Sequence, residues 1–183
     1  MRILTFILFT LSTISLFGQS VPDDNLVFWS STRKLSVDDF KIKTKNKETN
    51  SSFAQFSVDY QVSGFEFLTK NFNKKVRNYL IKSASTIDTT SDVSVSLRYQ
   101  QTLFNLCEIY TRQFRKALKE NRKKIALGTK IADQLNQKTM TDFAIRRVEY
   151  DKETNFGTII EKQVEWENII KRELNDLNEF TNE

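Results

Sequence analysis

The side chains that could do chemistry in this chain are cysteine, serine, lysine and the carboxylates, because its 183 residues include no histidine. Catalysis by a serine or cysteine nucleophile normally needs a neighbouring histidine as the base. The single cysteine, Cys107, lies between Phe104 and Tyr110 at helical spacing, which predicts a buried and inert thiol. No Gly-x-Ser-x-Gly motif is present either. The sequence therefore contains no pattern for acyl transfer.

Two carboxylate pairs remain as candidates for acid–base chemistry. Asp38 and Asp39 are adjacent, and Asp151 lies close to Glu153. Paired carboxylates can hydrolyse glycosides, but adjacent acids in loops usually cap helices or form turns. We expect structural roles for both pairs. A hydrolase with a relocated site, built on carboxylates, lysine or a metal held by oxygen, stays open as an alternative.

A basic stretch covers the end of the helix predicted below. Cations gather at helix C-termini because the helix dipole favours them there, so the preferred interpretation is a solvated face. The alternative is attachment to an envelope surface through anionic lipid, an acidic polymer or a partner protein. The stretch runs from Arg112 to Lys124, and its candidate basic surface comprises Arg115, Lys116, Lys119, Arg122 and Lys123.

The elements that must position these residues follow from periodicity. Alternating apolar residues over 56–62 predict a half-buried strand, and Ser63-Gly64 predicts a turn into a second strand from Phe65. Residues 76–81 fit a strand or a short helix. Strands that precede helices favour an α+β class, with a small antiparallel sheet packed against helices.

Helices are predicted over about 95–122, 124–148 and 159–180, with Asp88 or Ser91 as the first cap. Gly128 is expected to interrupt the start of the second helix, and whether 124–148 is one helix or two stays open. Residues 150–157 are predicted to form a loop. The inner positions predicted for the last two helices are Ile131, Leu135, Phe143 and Val148, and Ile159, Trp166, Ile170, Leu174 and Leu177.

Residues 1–19 are predicted to be a secretory signal peptide. Arg2 precedes a largely apolar run, and Gly18-Gln19-Ser20 provides small residues near a cleavage point. Threonines and serines interrupt that run, which is short for a membrane span. No cysteine lies at the cleavage point, so lipidation is not expected. Residues 20–183 are then a single exported domain, soluble in the periplasm or outside the cell.

The charge and the cysteine content exclude further classes. A net charge of +5 is a modest excess and does not indicate a nucleic-acid binder. A lone cysteine cannot form an intramolecular disulfide. No paired-cysteine metal site, EF-hand or glycine-rich phosphate loop is present, so no cofactor is expected. No transmembrane segment is predicted after residue 19.

Three separated stretches resemble the signatures of one bacterial family. Trp29-Ser30 with Asp38-Asp39-Phe40 resembles its N-terminal signature, and Phe104-Asn-Leu-Cys-Glu-Ile-Tyr-Thr-Arg112 resembles the continuation of its zinc helix. Tyr150-Asp-Lys-Glu-Thr-Asn-Phe-Gly157, with Gln163 and Trp166, resembles its C-terminal signature. The family is the domain of unknown function nine hundred and twenty-two, whose members are exported and described as zincin-like, zinc-dependent proteases. The resemblance implies a zincin-like fold with a long former active-site helix.

The resemblance also implies that the catalytic residues have been replaced. In such a helix two histidines one turn apart hold zinc, and a glutamate between them activates water. The two histidine positions correspond to Tyr99 and Leu103, the glutamate to Gln100 and a further histidine to Phe156. None of these side chains supplies a neutral nitrogen to zinc or a carboxylate base. The resemblance therefore predicts a metal cleft filled by core residues, with no zinc and no catalysis.

The positions that keep the family's residues are Trp29, Glu108, Arg112, Gly157 and Trp166. Glu108 and Arg112 are one helical turn apart and can pair. We prefer an orienting or surface pair over a remnant of the metal site. The function predicted is that of an exported, non-catalytic relative of these proteases, a binding or structural protein of the cell envelope. One version makes the old substrate cleft a surface for a partner polypeptide; an envelope component is the other partner considered, and the oligomeric state stays open.

Overall fold

The computed structural model describes residues 24–45, 52–62, 72–90 and 92–182. The predicted signal peptide, the Ser63-Gly64 turn, the strand from Phe65 and the candidate cap Ser91 lie outside the described residues. Within those ranges, no helix is both long enough and apolar enough to cross a membrane.

A small antiparallel sheet forms one layer of the molecule. Within the described residues, β1 (Leu26–Phe28) and β3 (Phe56–Tyr60) pair with opposite edges of β4 (Val76–Ile81) in a three-stranded sheet. Residues 76–81 are thus a strand, and the alternation along β4 buries Val76 and Leu80 while Arg77 faces outward. A separate parallel pair joins β2 (Ile42–Thr44) to β5 (Thr86–Asp88).

Helix α1 (Val93–Glu120) is the long central element. It begins after Asp92, whose Oδ1 accepts hydrogen bonds from the backbone N–H of Ser94 (3.0 Å) and of Val95 (3.3 Å). Such a side-chain cap satisfies N–H groups that have no partner within the helix. The prediction of Asp88 as the cap was wrong, because Asp88 ends β5 and its Oδ1 accepts from the backbone N–H and hydroxyl of Thr90 instead.

The remaining helices are α2 (Arg122–Ile125), α3 (Lys130–Thr154) and α4 (Ile160–Asp176), followed by a 3-10 turn over Asn178–Phe180. The predicted interruption at Gly128 is confirmed, since it lies between α2 and α3. The predicted loop over 150–157 was wrong in its first part. Residues 150–154 continue α3, because Tyr150 and Thr154 lie on the buried face of that helix.

The core lies around α1, which packs against the sheet through stacked Phe56 and Phe104 rings with centroids 5.0 Å apart. On its other side, Tyr110 contacts Phe143 of α3. Two predicted inner positions are wrong, because Val148 is 67% exposed and Ile159 is 44% exposed. Val148 lies on the outer face of α3, away from Phe143 and Tyr150, since a helix turns about 100° per residue. Helices beside a small antiparallel sheet confirm the α+β class.

Candidate functional site

The positions that the resemblance assigns to zinc chemistry are occupied by packed side chains. The Tyr99 ring stacks on Tyr150 at 5.3 Å and meets Phe156 edge to face at 6.1 Å. Leu103, one turn further along α1, is fully buried in the same core. On the far side of Tyr150, Trp166 of α4 packs edge to face at 5.3 Å. An aromatic stack therefore joins α1, α3 and α4 at these positions.

The close approach of the α3–α4 turn to Tyr99 requires a glycine at position 157. A Cβ atom at position 157 would lie 2.7 Å from the Cβ of Tyr99, and the glycine has a φ of +83°. Asn155 and Phe156 also adopt positive φ, so the α3–α4 turn passes through the left-handed region. The backbone N–H of Gly157 donates to Thr154 Oγ1 at 3.2 Å. The glycine of the C-terminal signature thus lets the turn approach α1 closely.

Tyr99 is held as a neutral phenol. Its hydroxyl donates to Asp151 Oδ1 at 2.5 Å, and Arg147 Nε lies 3.7 Å from Asp151 Oδ2. Burial, reinforced by the hydrogen bond to Asp151, raises the pKa of Tyr99 well above its usual range. Burial also raises the pKa of Asp151. A phenol that stays protonated and already donates its proton does not serve as a metal ligand.

The carboxylates near Tyr99 do not form an acid–base pair. Asp151 is engaged by Tyr99, whereas Glu153 accepts a hydrogen bond from Trp166 Nε1 at 2.8 Å. The other predicted pair also has structural partners: Asp39 is buried and accepts from Arg33 Nη2 at 2.6 Å, while Asp38 lies at the surface. Asp39, Asp151 and Glu153 thus each have a hydrogen-bond partner, and Asp151 and Glu153 lie on helix α3 and not in the predicted loop.

Gln100, at the position that the resemblance assigns to a catalytic glutamate, is completely buried. Its Nε2 donates to Ser52 Oγ at 3.1 Å, and its Oε1 has no hydrogen-bond partner in the described part of the chain. A carboxamide cannot accept a proton from water as a carboxylate does. Across the described residues, no group of three or more cysteine, aspartate or glutamate side chains could hold a metal ion. The residues at the positions that the resemblance assigns to zinc chemistry (Tyr99, Gln100, Leu103 and Phe156, here called the relict motif) therefore do not fit zinc.

Glu108 and Arg112, which match the family signature, belong to a buried ion-pair network. Glu108 Oε1 lies 3.2 Å from Arg112 Nε and 2.7 Å from Arg115 Nη1. Of the orienting or surface pair that was expected, the surface alternative is wrong, because Glu108 and Arg112 are both buried. The placement of Arg115 on the basic surface was also wrong, because the Arg115 side chain is fully buried. These three residues follow each other at spacings of one turn, so they share one face of α1.

The two arginines join distant parts of the chain. Arg115 donates to the backbone carbonyl of Val76 from Nε (3.0 Å) and Nη2 (2.7 Å), and to that of Phe180 from Nη1 (2.8 Å). Arg112 donates to the Leu174 carbonyl at 2.7 Å and lies over the Trp29 ring. Burial lowers the pKa of Arg115, and Glu108 opposes that change. The network therefore connects the sheet and the C-terminal turn to α1.

The other four residues of the candidate basic surface differ in their exposure and in their ion pairing. Lys116 and Lys123 are exposed, Arg122 is half-buried and Lys119 pairs with Glu179. Cys107 is fully buried, as predicted, and burial raises the pKa of its thiol.

Sequence reasoning missed a groove on the opposite face of α1. Its cavity volume is about 940 Å³, and it lies between residues 29–35, α1 and α4. Leu35, Leu97, Ile170 and Leu174 provide its apolar lining. Asn105, in its wall, is about 200° around the helix from buried Leu103. Trp29 and Arg112, which match the family signatures, also line this groove.

Hydrogen bonds hold the walls of the groove in place. Gln101 Oε1 accepts from the backbone N–H of Leu35 at 2.8 Å, and Asn105 Oδ1 accepts from Trp29 Nε1 at 3.0 Å. Arg98 bridges α1 to Glu167 of α4 through hydrogen bonds of 2.7 and 2.8 Å. In the sequence, the only indication of this wall was the pair of carboxamides of Gln101 and Asn105, which are spaced one turn apart on α1.

Comparison of the chain with protein families, curated proteins and solved structures found no match. The family suggested by the three motifs therefore rests on those motifs alone.

Proposed function

We propose that this protein is an exported, non-catalytic relative of zinc-dependent proteases, and that it acts in the cell envelope by binding. The observation that carries the proposal is the packing at the relict motif. Tyr99 stacks on Tyr150 and contacts Phe156, while Leu103 is sealed in the core. A catalytic zinc site needs three protein ligands and an open position for water. Packed aromatic and aliphatic side chains supply neither.

The preserved construction around the motif supports descent from a metal-binding frame. Gly157 still brings the α3–α4 turn against Tyr99, and Trp166 still packs behind it. Phe156 reaches Tyr99 from that turn, as a third ligand from a separate element would approach a metal helix. These contacts support our proposal of a frame that keeps its shape while its ligands are replaced, and for that reason we favour binding over hydrolysis.

The test is the zinc content of the full exported chain after loading with zinc and desalting. We expect a stoichiometry near zero, because neither Tyr99 nor Gln100 is a suitable ligand. A stoichiometry near one zinc per chain would overturn the proposal and would indicate ligands among the carboxylates and Cys107.

A back-substituted variant tests the zincin-like frame separately. It combines Y99H, Q100E, L103H and F156H, and circular dichroism verifies that its helices persist. We expect this variant to bind one zinc and the parent chain to bind none, because histidines one turn apart can then converge with a third from the turn. A folded variant that binds no zinc contradicts the zincin-like part of the proposal.

A further inference from the structure

We propose that the groove between residues 29–35, α1 and α4 binds an acidic polypeptide segment in an extended conformation. The inference rests on the proposed binding function and names the class of its partner. It also moves the binding surface from the old metal cleft to the opposite face of α1, where the chain leaves an open cavity of about 940 Å³.

The shape of the groove fits a linear chain. Its lining on α1 runs from Leu97 to Arg112, which spans about 22 Å at the helical rise of ~1.5 Å per residue. An extended polypeptide covers that length with about six or seven residues, since each adds ~3.3 Å. The half-buried side chains of Leu97 and Leu174 line the groove, and their exposed parts can contact apolar side chains of such a strand.

The positive charges in the lining of the groove favour an acidic partner. Lys34, from residues 29–35, and Lys171, from α4, both line the groove and are exposed, and neither has an ion pair in the part of the chain that the structure describes. Arg98 is paired with Glu167, whereas Arg112 shares the carboxylate of Glu108 with Arg115. Two cations therefore face the groove without a counter-charge, which is complementary to carboxylates on a ligand.

The polar groups of the groove are suited to a peptide backbone. The carboxamides of Asn175 and Asn178 line its rim and are exposed. Each carboxamide can donate to a carbonyl and accept from an N–H group. Two further polar side chains of the lining, Gln101 and Asn105, already hydrogen-bond to neighbouring elements, so ordering them costs little conformational entropy on binding.

An apolar strip extends the same side of α4 beyond the groove. Ile160 is 49% exposed and Val164 is 42% exposed. Spacings of four and seven residues place both on the same side of the helix as Lys171. A ligand that combines carboxylates with apolar side chains matches this sequence of groups better than a wholly polar polymer does.

The experiment uses the full exported chain and fluorescein-labelled peptides of about eight residues, long enough to span the groove in extended form. One peptide alternates glutamate with leucine, and the other replaces each glutamate by glutamine. Anisotropy titrations compare the parent chain with the double variant K34E/K171E. The matched control is K116E/K123E, which makes the same change in net charge on exposed lysines outside the groove.

We expect the glutamate peptide to bind the parent chain about tenfold more tightly than the glutamine peptide. K34E/K171E should weaken binding about tenfold, and K116E/K123E should change it less than about twofold. Equal weakening by both double variants, or stronger binding of an acidic polysaccharide that displaces the peptide, overturns the inference. Absence of peptide binding by a folded, zinc-free chain also overturns it but leaves the loss of zinc chemistry standing.

Discussion

Replacement of Glu108 by glutamine should strongly destabilise the fold. The Glu108 side chain is 1% exposed and its partner Arg115 is 0% exposed. Glutamine keeps the shape and one acceptor oxygen but removes the negative charge that compensates the buried guanidinium. The carbonyls of Val76 and Phe180 continue to accept hydrogen bonds from Arg115 but carry no net charge.

The magnitude follows from this burial. Removing one partner of a buried ion pair leaves an uncompensated charge and costs about 3–5 kcal/mol. With a denaturant dependence of about 2 kcal/mol per molar urea, typical of small domains, the midpoint of unfolding should fall by about 2 M. The effect should persist at high salt, because ions do not reach a buried pair.

Urea unfolding monitored by circular dichroism measures this loss. The matched control is D142N, since Asp142 pairs with Lys138 at the same helical spacing but with side chains 41% and 74% exposed. That pair contributes about 0.3–0.5 kcal/mol. A loss below about 1 kcal/mol for E108Q, or equal losses for both variants, would refute the view that the buried network stabilises the fold.

Three further outcomes are expected. G157A should lower the unfolding free energy by more than about 1 kcal/mol, because of the positive φ and the contact with Tyr99. The same change at Gly128, where the added Cβ meets nothing within 4 Å, should be nearly neutral in thermal unfolding. Burial raises the pKa of Tyr99 in the folded state, so stability should fall as pH rises above about 10, and Y99F should make that fall shallower in urea titrations. D92A should cost about 0.5–2 kcal/mol by removing the cap of α1, and unchanged unfolding would contradict that role.

Local patterns were sufficient to predict several elements. The alternation at Phe56 and Val58 predicts β3, and the helical spacing of Leu103, Phe104 and Phe114 predicts α1. Such patterns work because the period of side-chain direction is set by the backbone itself. The break at Gly128 was predictable for a similar reason, since glycine weakens a helix interior.

Boundaries that depend on distant contacts were not predictable. Residues 150–154 contain no strong helical signal, yet they extend α3 because Tyr150 packs between Tyr99 and Trp166. Val148 was predicted to face the core, but α3 is rotated so that Val148 faces outward. The orientation of a helix is chosen by all of its tertiary contacts together, and the sequence of one segment does not contain them.

The sequence by itself determined the class of the fold. It also showed that the chain has no histidine, and therefore lacks the usual zinc ligands of a zinc protease. Only the tertiary structure decided that Arg115 is buried, since a cationic side chain enters a core only where an anion and carbonyls from distant segments meet it. Only the tertiary structure likewise brought Lys34 and Lys171 into the lining of one groove. Lys34 and Lys171 are far apart in the sequence, and no local pattern relates them. A groove is formed by packing between elements and not by the periodicity of any one of them.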